Sequence, residues 1–247
     1  MTESAKTSVA IIGASSAMGE ALVRQLAERG EALFLTARDA GKLEKVAADA
    51  RLRGAREVRT QLLDLADWEG DLDWLRSAGE LSAVVIAPGV LSDEEGGLSE
   101  WRADVGVNFT ALAFLAREAC ELLAAQNDGG CLQIIGSVAG DRGRQSNGFY
   151  GAQKAALATY VESLAHRAAL KNKKVRVLLV KPGLVRSAMT SDLPESPLFS
   201  EPEAVARVLV KALTKRKAGV VYAPWWWRWV MLVIRLIPRV IFHRSKL

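Results

Sequence analysis

The chain has 247 residues, half of them hydrophobic, which is enough to build the core of one α/β domain. Its net charge of +5 is unevenly distributed: residues 1–203 carry 23 Lys and Arg against 28 Asp and Glu, whereas the remainder carries ten basic residues and no acidic one. A mildly acidic body with a basic, Trp-rich tail argues against a general nucleic-acid-binding protein and favours contact with an anionic membrane surface.

Short apolar runs alternate with longer helical patterns along the chain. The predicted strands are 8–12, 32–37, 57–62, 83–86, 131–135, 175–180 and 220–222. The predicted helices are 19–28, 42–53, 100–125, 149–170 and 202–215. This alternation predicts parallel strands joined by right-handed crossovers, and the Val, Ile and Leu content of the strands predicts a sheet covered on both faces. Residues that directly follow the strands should therefore line one ligand-binding edge.

A glycine-bounded turn joins the first strand to the first helix. It begins at Gly13 and ends at Gly19, with only Ala, Ser and Met between them. Small residues let the backbone approach a pyrophosphate, and a helix N-terminus adds free amides and a partial positive charge. The pattern predicts a dinucleotide site, and the alternative is a plain tight turn.

Polar residues follow the second and third strands. An acidic residue at position 38 would hold the ribose hydroxyls of NAD, whereas the guanidinium of Arg38 suits a 2′-phosphate, which favours NADP(H) over NAD(H). The neighbouring carboxylate of Asp39 would repel that phosphate if it pointed inward, and Arg38 could instead be a solvated surface residue. Asp64 can accept a hydrogen bond from an adenine amino group or serve as a turn residue.

Tyr150 and Lys154 lie four residues apart near the start of a predicted helix, so they project from one face. We expect the ammonium to lower the pKa of the phenol, which would make Tyr150 a usable general acid. Ser137 can hold a carbonyl oxygen while the proton arrives. Asn108, a poor helix former inside a long helix, either opens that helix to a water near Lys154 or lies on an exposed face.

These motifs, in this order, resemble those of the short-chain dehydrogenase/reductase family. The match extends to about residue 222 and includes the glycine turn, Ala87-Pro-Gly89, the residues named above and the Pro-Gly-Leu-Val-Arg-Ser run at 182–187. The resemblance implies a Rossmann-type, three-layer α/β sandwich with a seven-stranded parallel sheet. It implies Tyr150 as the acid/base, Lys154 as its pKa modifier and a ribose ligand, Ser137 as the carbonyl orienter and Asn108 in a proton relay.

The resemblance also implies a nicotinamide cofactor and a set of residues that contact it. These are Gly13, Ser15, Ser16, Met18, Gly19, Arg38, Asp64, Leu65, Ala87, Gly89, Tyr150, Lys154, Pro182, Gly183, Val185 and Ser187. It further implies a homodimer or homotetramer built through the helices that carry Asn108 and Tyr150. His166 and His243 have no metal-ligand spacing, so we expect no metal.

A narrower resemblance concerns the second half and the tail. The runs Pro88-Gly-Val-Leu, Gly140-Asp-Arg and 182–189, with the tail from Ala223-Pro to Pro238-Arg, are similar to those of the decaprenylphosphoryl-2-keto-ribose reductases of mycobacteria. It implies reduction of a keto sugar linked to a polyprenyl phosphate at a membrane surface. The alternative within the same chemistry is a 3-oxoacyl or 3-keto lipid substrate, with the basic tail docking an acidic carrier protein. A non-catalytic nucleotide-binding scaffold would be expected to lack Tyr150 or Lys154, and both are present. Arg142 and Arg144 lie in the predicted loop between Ser137 and Tyr150. We expect them either to bind a substrate phosphate or to be solvated.

The tail divides the chain into a catalytic domain, 1–223, and a basic, amphipathic C-terminal segment, 224–247. Residues 225–242 would form a helix about 27 Å long with Arg228, Arg235 and Arg239 on one face, ended or kinked at Pro238. This pattern favours a helix lying in the membrane interface. The alternatives are packing on the catalytic body or on a second subunit, and a membrane span.

The location predicted from these features is cytoplasmic, peripheral at the inner face of the cell membrane. The polar residues 1–8 do not form a signal-peptide pattern. Cys120 and Cys131 lie in apolar surroundings, which predicts two buried free thiols and a reducing compartment.

Overall fold

A computed structural model describes residues 8–171, 174–215 and 218–244. Within these ranges seven parallel strands form one sheet, in the spatial order β3-β2-β1-β4-β5-β6-β7. Their bounds are β1 Ser8–Ile12, β2 Ala32–Ala37, β3 Glu57–Leu62, β4 Leu81–Ile86, β5 Gly130–Ile135, β6 Val175–Pro182 and β7 Gly219–Ala223. The predicted α/β fold with a seven-stranded parallel sheet is confirmed.

The helices connect the strands and cover both faces of the sheet. They are α1 Ala17–Ala27, α2 Ala40–Leu52, α3 Asp73–Arg76, α4 Leu98–Val105, α5 Leu112–Ala125, α6 Gly148–Lys171, α7 Pro202–Thr214, α8 Trp227–Leu236 and α9 Arg239–Phe242. A π-helical turn, Gly106–Ala111, joins α4 to α5. The predicted helix 100–125 is thus three segments, and the short α3 was not predicted.

Alternating side chains of the central strand enter two separate apolar layers. Val9 and Ile11 pack into the layer that holds residues of α1, α2 and α7. Ala10 and Ile12 pack into the layer formed with α5 and α6. Every residue of β1 is buried, and all but Ser8 are apolar, as expected for a strand covered on both faces.

The order of the strands places a switch point between β1 and β4. The chain runs outward from β1 to β3 on one side and from β4 to β7 on the other. Because all strands are parallel, their carboxyl ends meet at one edge, and ligands of open α/β sheets bind in the crevice at such a point. The glycine turn follows β1 and Ala87 follows β4, so both lie at this crevice.

The C-terminal segment packs on the body through a third apolar cluster. Trp227, Met231 and Ile234 of α8 are buried against Val138, which directly follows Ser137. The predicted helix over 225–242 is interrupted, because Ile237 leaves the helical conformation and Pro238 precedes α9. The expected break at Pro238 is confirmed, but Arg239 starts a second helix instead of extending the face of Arg228 and Arg235. No helix in the described ranges is long and apolar enough to cross a bilayer.

Both cysteines are buried and unpaired, as predicted. Burial raises the pKa of the Cys120 thiol and that of the Cys131 thiol. Thiols in this environment stay protonated and unreactive, so we assign them a packing role.

Candidate active site

The turn after β1 is built for close backbone approach. Gly13 has a φ of +80°, a conformation that L side chains rarely adopt. A Cβ on Gly19 would lie 2.3 Å from the carbonyl oxygen of Gly13, so only glycine lets the helix start this close to the turn. Ser16 caps α1 by accepting a hydrogen bond from the amide of Gly19 at 3.1 Å.

The first turn of α1 leaves donors directed at the crevice. The amides of Ala17 and Met18 have no acceptor among the described residues, as is usual for the first turn of a helix. Ser15 lies half-buried in the turn, and the Met18 side chain packs against the apolar layer under α1. These free amides, with the positive end of the helix dipole, suit an anionic ligand.

Arg38 and Asp64 follow β2 and β3 and lie at the same edge, away from Tyr150. Arg38 is exposed and forms no hydrogen bond or ion pair with a described residue. Asp39 points away from it, because its carboxylate caps α2 by accepting from the amide of Lys42 at 2.8 Å. Asp64 accepts from the amide of Ala66 at 3.0 Å, which is a turn role, while the next residue, Leu65, is buried.

The loop after β4 brings the cofactor-site residues against the catalytic ones. Ala87 continues the β1–β4 pairing by donating its amide to the Ile12 carbonyl at 2.9 Å. A Cβ on Gly89 would lie 3.1 Å from Lys154 Nζ and 3.3 Å from Asn108 Oδ1. Gly89 therefore packs closely against both polar groups, and a larger residue would crowd them.

Asn108 lies in the π-helical turn and is completely buried. Its amide group exchanges two hydrogen bonds with the backbone of Val90, at 3.0 and 2.9 Å, and donates to Gln153 Oε1 at 2.7 Å. Gln153 in turn donates to Ser92 Oγ at 2.9 Å. The alternative of an exposed polar residue is wrong; the helix does open at Asn108, and the side chain ties the loop after β4 to α6.

Tyr150 lies in the first turn of α6, and two contacts hold that turn. Glu94 accepts from the amide of Phe149 at 2.7 Å, which satisfies one of the free amides at the start of the helix. The Phe149 ring stacks on Trp101 of α4, with the ring centroids 3.8 Å apart. Both contacts are made by Phe149, directly before Tyr150, and the Tyr150 phenol itself interacts with the Ser137 hydroxyl.

Burial pushes Tyr150 and Lys154 towards their neutral forms. The pKa of Tyr150 is raised above its usual value, chiefly by burial, and the Ser137 hydroxyl acts in the opposite direction. Burial lowers the pKa of Lys154 from 10.5 to about 8. The ammonium lies 5.5 Å from the Tyr150 ring centroid and has no hydrogen-bond acceptor among the described residues. The expected lowering of the Tyr150 pKa is therefore not found, because desolvation outweighs the effect of the Ser137 hydroxyl.

Ser137 ends the extension of β5 and starts a single 3₁₀ turn. Its Oγ accepts from the amide of Ala139 at 3.0 Å. Four residues after Ser137, the buried carboxylate of Asp141 receives a hydrogen bond from the Tyr222 hydroxyl at 2.7 Å and pairs with Lys181 Nζ. Burial and the Asp141 carboxylate raise the pKa of Tyr222 to about 12. This network fastens the Ser137 turn to β6 and β7.

The run from Pro182 to Ser187 forms the last part of the edge. Pro182 ends β6 and Val185 is buried. The Ser187 amide donates to Thr190 Oγ1 at 3.1 Å. Trp227 of α8 packs directly on Gly183, so the C-terminal helix is a wall of this site.

Arg142 belongs to the same wall. Its Nη1 donates to the carbonyls of Ile234 and Ile237 at the end of α8, the latter at 2.9 Å, and its guanidinium lies 3.7 Å from the centroid of the Phe242 ring. We predicted that Arg142 would bind a substrate phosphate or lie in a solvated loop. The structure shows neither, because Arg142 packs against the end of α8. Arg144 is half-buried, and burial lowers the pKa of its guanidinium.

Comparison with known proteins identifies the family of this site. The family model described as short chain dehydrogenase matches residues 7–197. The chain belongs to the short-chain dehydrogenase family. An uncharacterized oxidoreductase of Mycobacterium tuberculosis is 33% identical over 250 residues, which cover 99% of each chain. One of Streptomyces coelicolor is 33% identical over 244 residues, with 96% of this chain and 95% of the relative covered.

Solved structures agree with this assignment. A short-chain dehydrogenase from Sphingobium yanoikuyae in complex with NADPH superposes with a TM-score of 0.79 at 24% identity, covering 94% of this chain and 97% of its own. An alcohol dehydrogenase from Thermococcus sibiricus complexed with 5-hydroxy-NADP gives a TM-score of 0.73 at 26% identity, covering 87% and 95%. This short-chain dehydrogenase is thus an oxidoreductase. The names of these relatives specify no lipid-linked substrate, so the resemblance to decaprenylphosphoryl-2-keto-ribose reductases stays a prediction.

Several residues of this short-chain dehydrogenase site were not found from the sequence. They lie around the predicted catalytic residues: Glu94, Gln153, Asp141, Lys181, Tyr222 and Trp227. Of these residues, only Gln153 could have been found from the sequence. It lies next to Lys154 on a helix with an apolar face, and an amide side chain that is buried there needs a hydrogen-bond partner. The described residues include no group of three His, Cys, Asp or Glu side chains placed to hold a metal.

Proposed function

We propose that this enzyme reduces a ketone to an alcohol with NADPH, with Tyr150 as the proton donor. The observation that supports this most is the meeting of Tyr150, Ser137 and Lys154 at the carboxyl edge of the sheet, next to Gly89. A nicotinamide cofactor, when bound, supplies the hydride for this reaction.

The residues present fit such a cofactor. The Gly13–Gly19 turn and the free amides of α1 would take the pyrophosphate. Lys154 Nζ is buried with no acceptor among the described residues, so its donors are available to ribose hydroxyls. A buried ammonium is costly unless it is hydrogen-bonded, and a ligand that supplies acceptors at this point would remove that cost.

Tyr150 is the proton donor in the reductive direction. Its buried phenol is protonated at neutral pH, so it holds the proton that a developing alkoxide needs. The Ser137 hydroxyl would orient the carbonyl oxygen towards it. Asn108 holds the loop after β4 so that Gly89 stays clear of the Lys154 ammonium.

A preference for NADP(H) rests on the two residues after β2. The Arg38 guanidinium is unpaired among the described residues, and the Asp39 carboxylate faces the start of α2. The repulsion that an inward Asp39 would exert on a 2′-phosphate is therefore absent from this arrangement. Solved relatives contain NADPH and 5-hydroxy-NADP, which supports the same preference.

The substrate class that we favour is a ketone carried on a lipid, such as a keto sugar on a polyprenyl phosphate. The apolar helix α8 stands directly beside the Ser137 turn, which supports an apolar carrier. A panel that contains a small aliphatic ketone, a 3-oxoacyl thioester and a polyprenyl-phosphate-linked 2-keto-pentose would rank the alternatives by NADPH oxidation.

The variant Tyr150→Phe tests the mechanism. We expect hydride transfer in a single turnover to fall by about 10²-fold or more, while NADPH binding changes little. Tyr160→Phe, on the same helix, is the control and should keep full activity. Full turnover by Tyr150→Phe would exclude the proposed proton donor.

A further inference from the structure

The C-terminal helix α8 is apolar on two opposite faces. Its inner face is buried on the catalytic body, as described above. Its outer face carries large apolar side chains that are 44 to 72% exposed: Trp229, Leu232, Val233 and Leu236, with Trp225 just before the helix. The exposed strip continues into α9 with Val240 and Ile241. Monomeric proteins rarely expose a contiguous apolar strip of this kind unless it meets a partner.

Cations and no anions accompany the outer face. Arg228 and Arg235, seven residues apart, lie on the same flank of α8, between the inner and the outer face. Arg239 and Arg244 follow in and after α9. None of these arginines forms an ion pair with a described residue, and no acidic residue follows Glu203 in the sequence.

The outer face is presented by a fixed element. Three buried side chains anchor α8, and Arg142 holds its last carbonyls and stacks on Phe242. The opposite side of the same helix contacts Val138 and Gly183, next to the Ser137 turn and the cofactor edge. Whatever covers the outer face is therefore held within one helix diameter of the active site.

We propose that the outer face of α8 and α9 docks on an anionic lipid surface. A ten-residue helix spans about 15 Å and cannot cross a bilayer, but it can lie in the interface with tryptophans at the level of the headgroups. The flanking arginines would meet lipid phosphates, each contributing favourably near an anionic surface.

A second copy of the chain fits this face less well. In a two-fold symmetric contact the same patch meets itself, so the arginines of both copies would come together with no acidic side chain on that face. An acidic carrier protein would satisfy the arginines but would leave the central strip of Trp, Leu and Val against a polar surface. An anionic lipid surface would offer phosphates to the arginines and an apolar environment to the strip of Trp, Leu and Val.

Docking would place the active site beside the membrane. This conclusion rests on the proposed function: a ketone carried by a lipid would reach Tyr150 while the apolar chain of the lipid stays in the bilayer. Water-soluble ketones would not need the surface.

Point variants on the outer face test the docking without exposing the inner face. We expect Trp229→Glu/Leu236→Glu to lose at least tenfold in affinity for phosphatidylglycerol vesicles in co-sedimentation. Leu52→Glu/Leu170→Glu carries the same charge change at two other exposed leucines and should bind like the unmodified protein. Arg228→Gln/Arg235→Gln should bind anionic and phosphatidylcholine vesicles about equally weakly.

Three results would overturn the proposal. They are unchanged vesicle binding by Trp229→Glu/Leu236→Glu, no binding of the unmodified protein to phosphatidylglycerol vesicles, and an oligomer in solution that this variant splits. Reduction of a small ketone without vesicles separates this proposal from the enzymatic one. The outer-face variant should retain that activity, so loss of vesicle binding with intact turnover reports on docking alone.

Discussion

Trp227 and Gly183 are in direct contact, although 44 positions separate them in the sequence. A Cβ on Gly183 would lie 1.8 Å from both Cε2 and Nε1 of the indole. Trp227 is buried, and its Nε1 has no hydrogen-bond partner among the described residues. The C-terminal helix therefore rests on the part of the edge where we expect the cofactor to bind.

Gly183→Ala should force Trp227 away from the edge. Overpacking of this kind costs about 1–3 kcal/mol, so we expect a lower unfolding midpoint in urea and weaker NADPH binding. Gly143→Ala is the control, because nothing lies within 4 Å of a Cβ at that position. Unchanged stability and affinity in Gly183→Ala would contradict the contact.

Lys154→Met should stabilise the protein at neutral pH and abolish turnover. The pKa of Lys154 is about 8 when folded against 10.5 ordinarily, so the unfolded chain binds the proton more tightly. The cost of burying the ammonium is fully present below pH 8 and is relieved as the pH rises towards 10.5. At pH 7 the variant should gain up to about 3 kcal/mol.

Urea unfolding at several pH values measures this effect. The unmodified protein should become more stable between pH 8 and 10.5 relative to Lys154→Met. Lys45→Met, an exposed lysine on α2, serves as the control and should leave the pH profile unchanged. If Lys154→Met is less stable than the unmodified protein at pH 7, the buried ammonium does not destabilise the folded state.

Asp141→Asn should loosen the Ser137 turn. The change removes the charge that pairs with Lys181 and accepts from Tyr222, and breaking a buried pair costs about 3–5 kcal/mol. The exposed pair of Arg76 and Asp73 offers a control, since Asp73→Asn should change stability little. Thermal unfolding measures both, and adding Lys181→Met to Asp141→Asn should recover part of the loss. Equal effects at the two sites would contradict a structural role for the buried pair.

Arg38→Ala should change cofactor choice without changing the chemistry. Loss of charge-assisted hydrogen bonds to a 2′-phosphate costs about 1.5–3 kcal/mol, which corresponds to roughly 10- to 100-fold weaker NADPH binding, with NADH binding unaffected. Arg29→Ala, an exposed arginine at the end of α1, is the control. Fluorescence titration with NADPH and with NADH measures both affinities. An equal loss of both would refute the role of Arg38 as the ligand of the 2′-phosphate.

The periodic parts of the fold were predictable from the sequence. All seven strands lie within two residues of their predicted bounds, because buried parallel strands are nearly continuous in apolar residues. The four-residue α3 is too short to show a helical period. The division of 100–125 went unnoticed because a π-helical turn continues the helical pattern with one residue more per turn.

The positions of the candidate catalytic groups were predictable because their motifs are local, whereas their surroundings were not. Tyr150 and Lys154 share one helix face by spacing alone. The contacts of Asp141 with Lys181 and Tyr222 join residues 40 and 81 positions apart, and only the order of β5, β6 and β7 brings them together. The pKa directions also depend on burial, which spacing does not report.

The π-helical turn at Gly106–Ala111 absorbs one extra residue within the helical segment between Leu98 and Ala125. The wide turn accommodates one residue more than an α-helix would, so deleting a single residue there would restore regular helix and leave α4 and α5 in nearly the same relative rotation. Deleting a residue of α4 between Trp101 and this turn would instead rotate the start of α4 by about 100°, which would turn Trp101 away from Phe149. The stacking of these two rings should therefore survive loss of the π-helical turn but not a one-residue deletion in the regular part of α4.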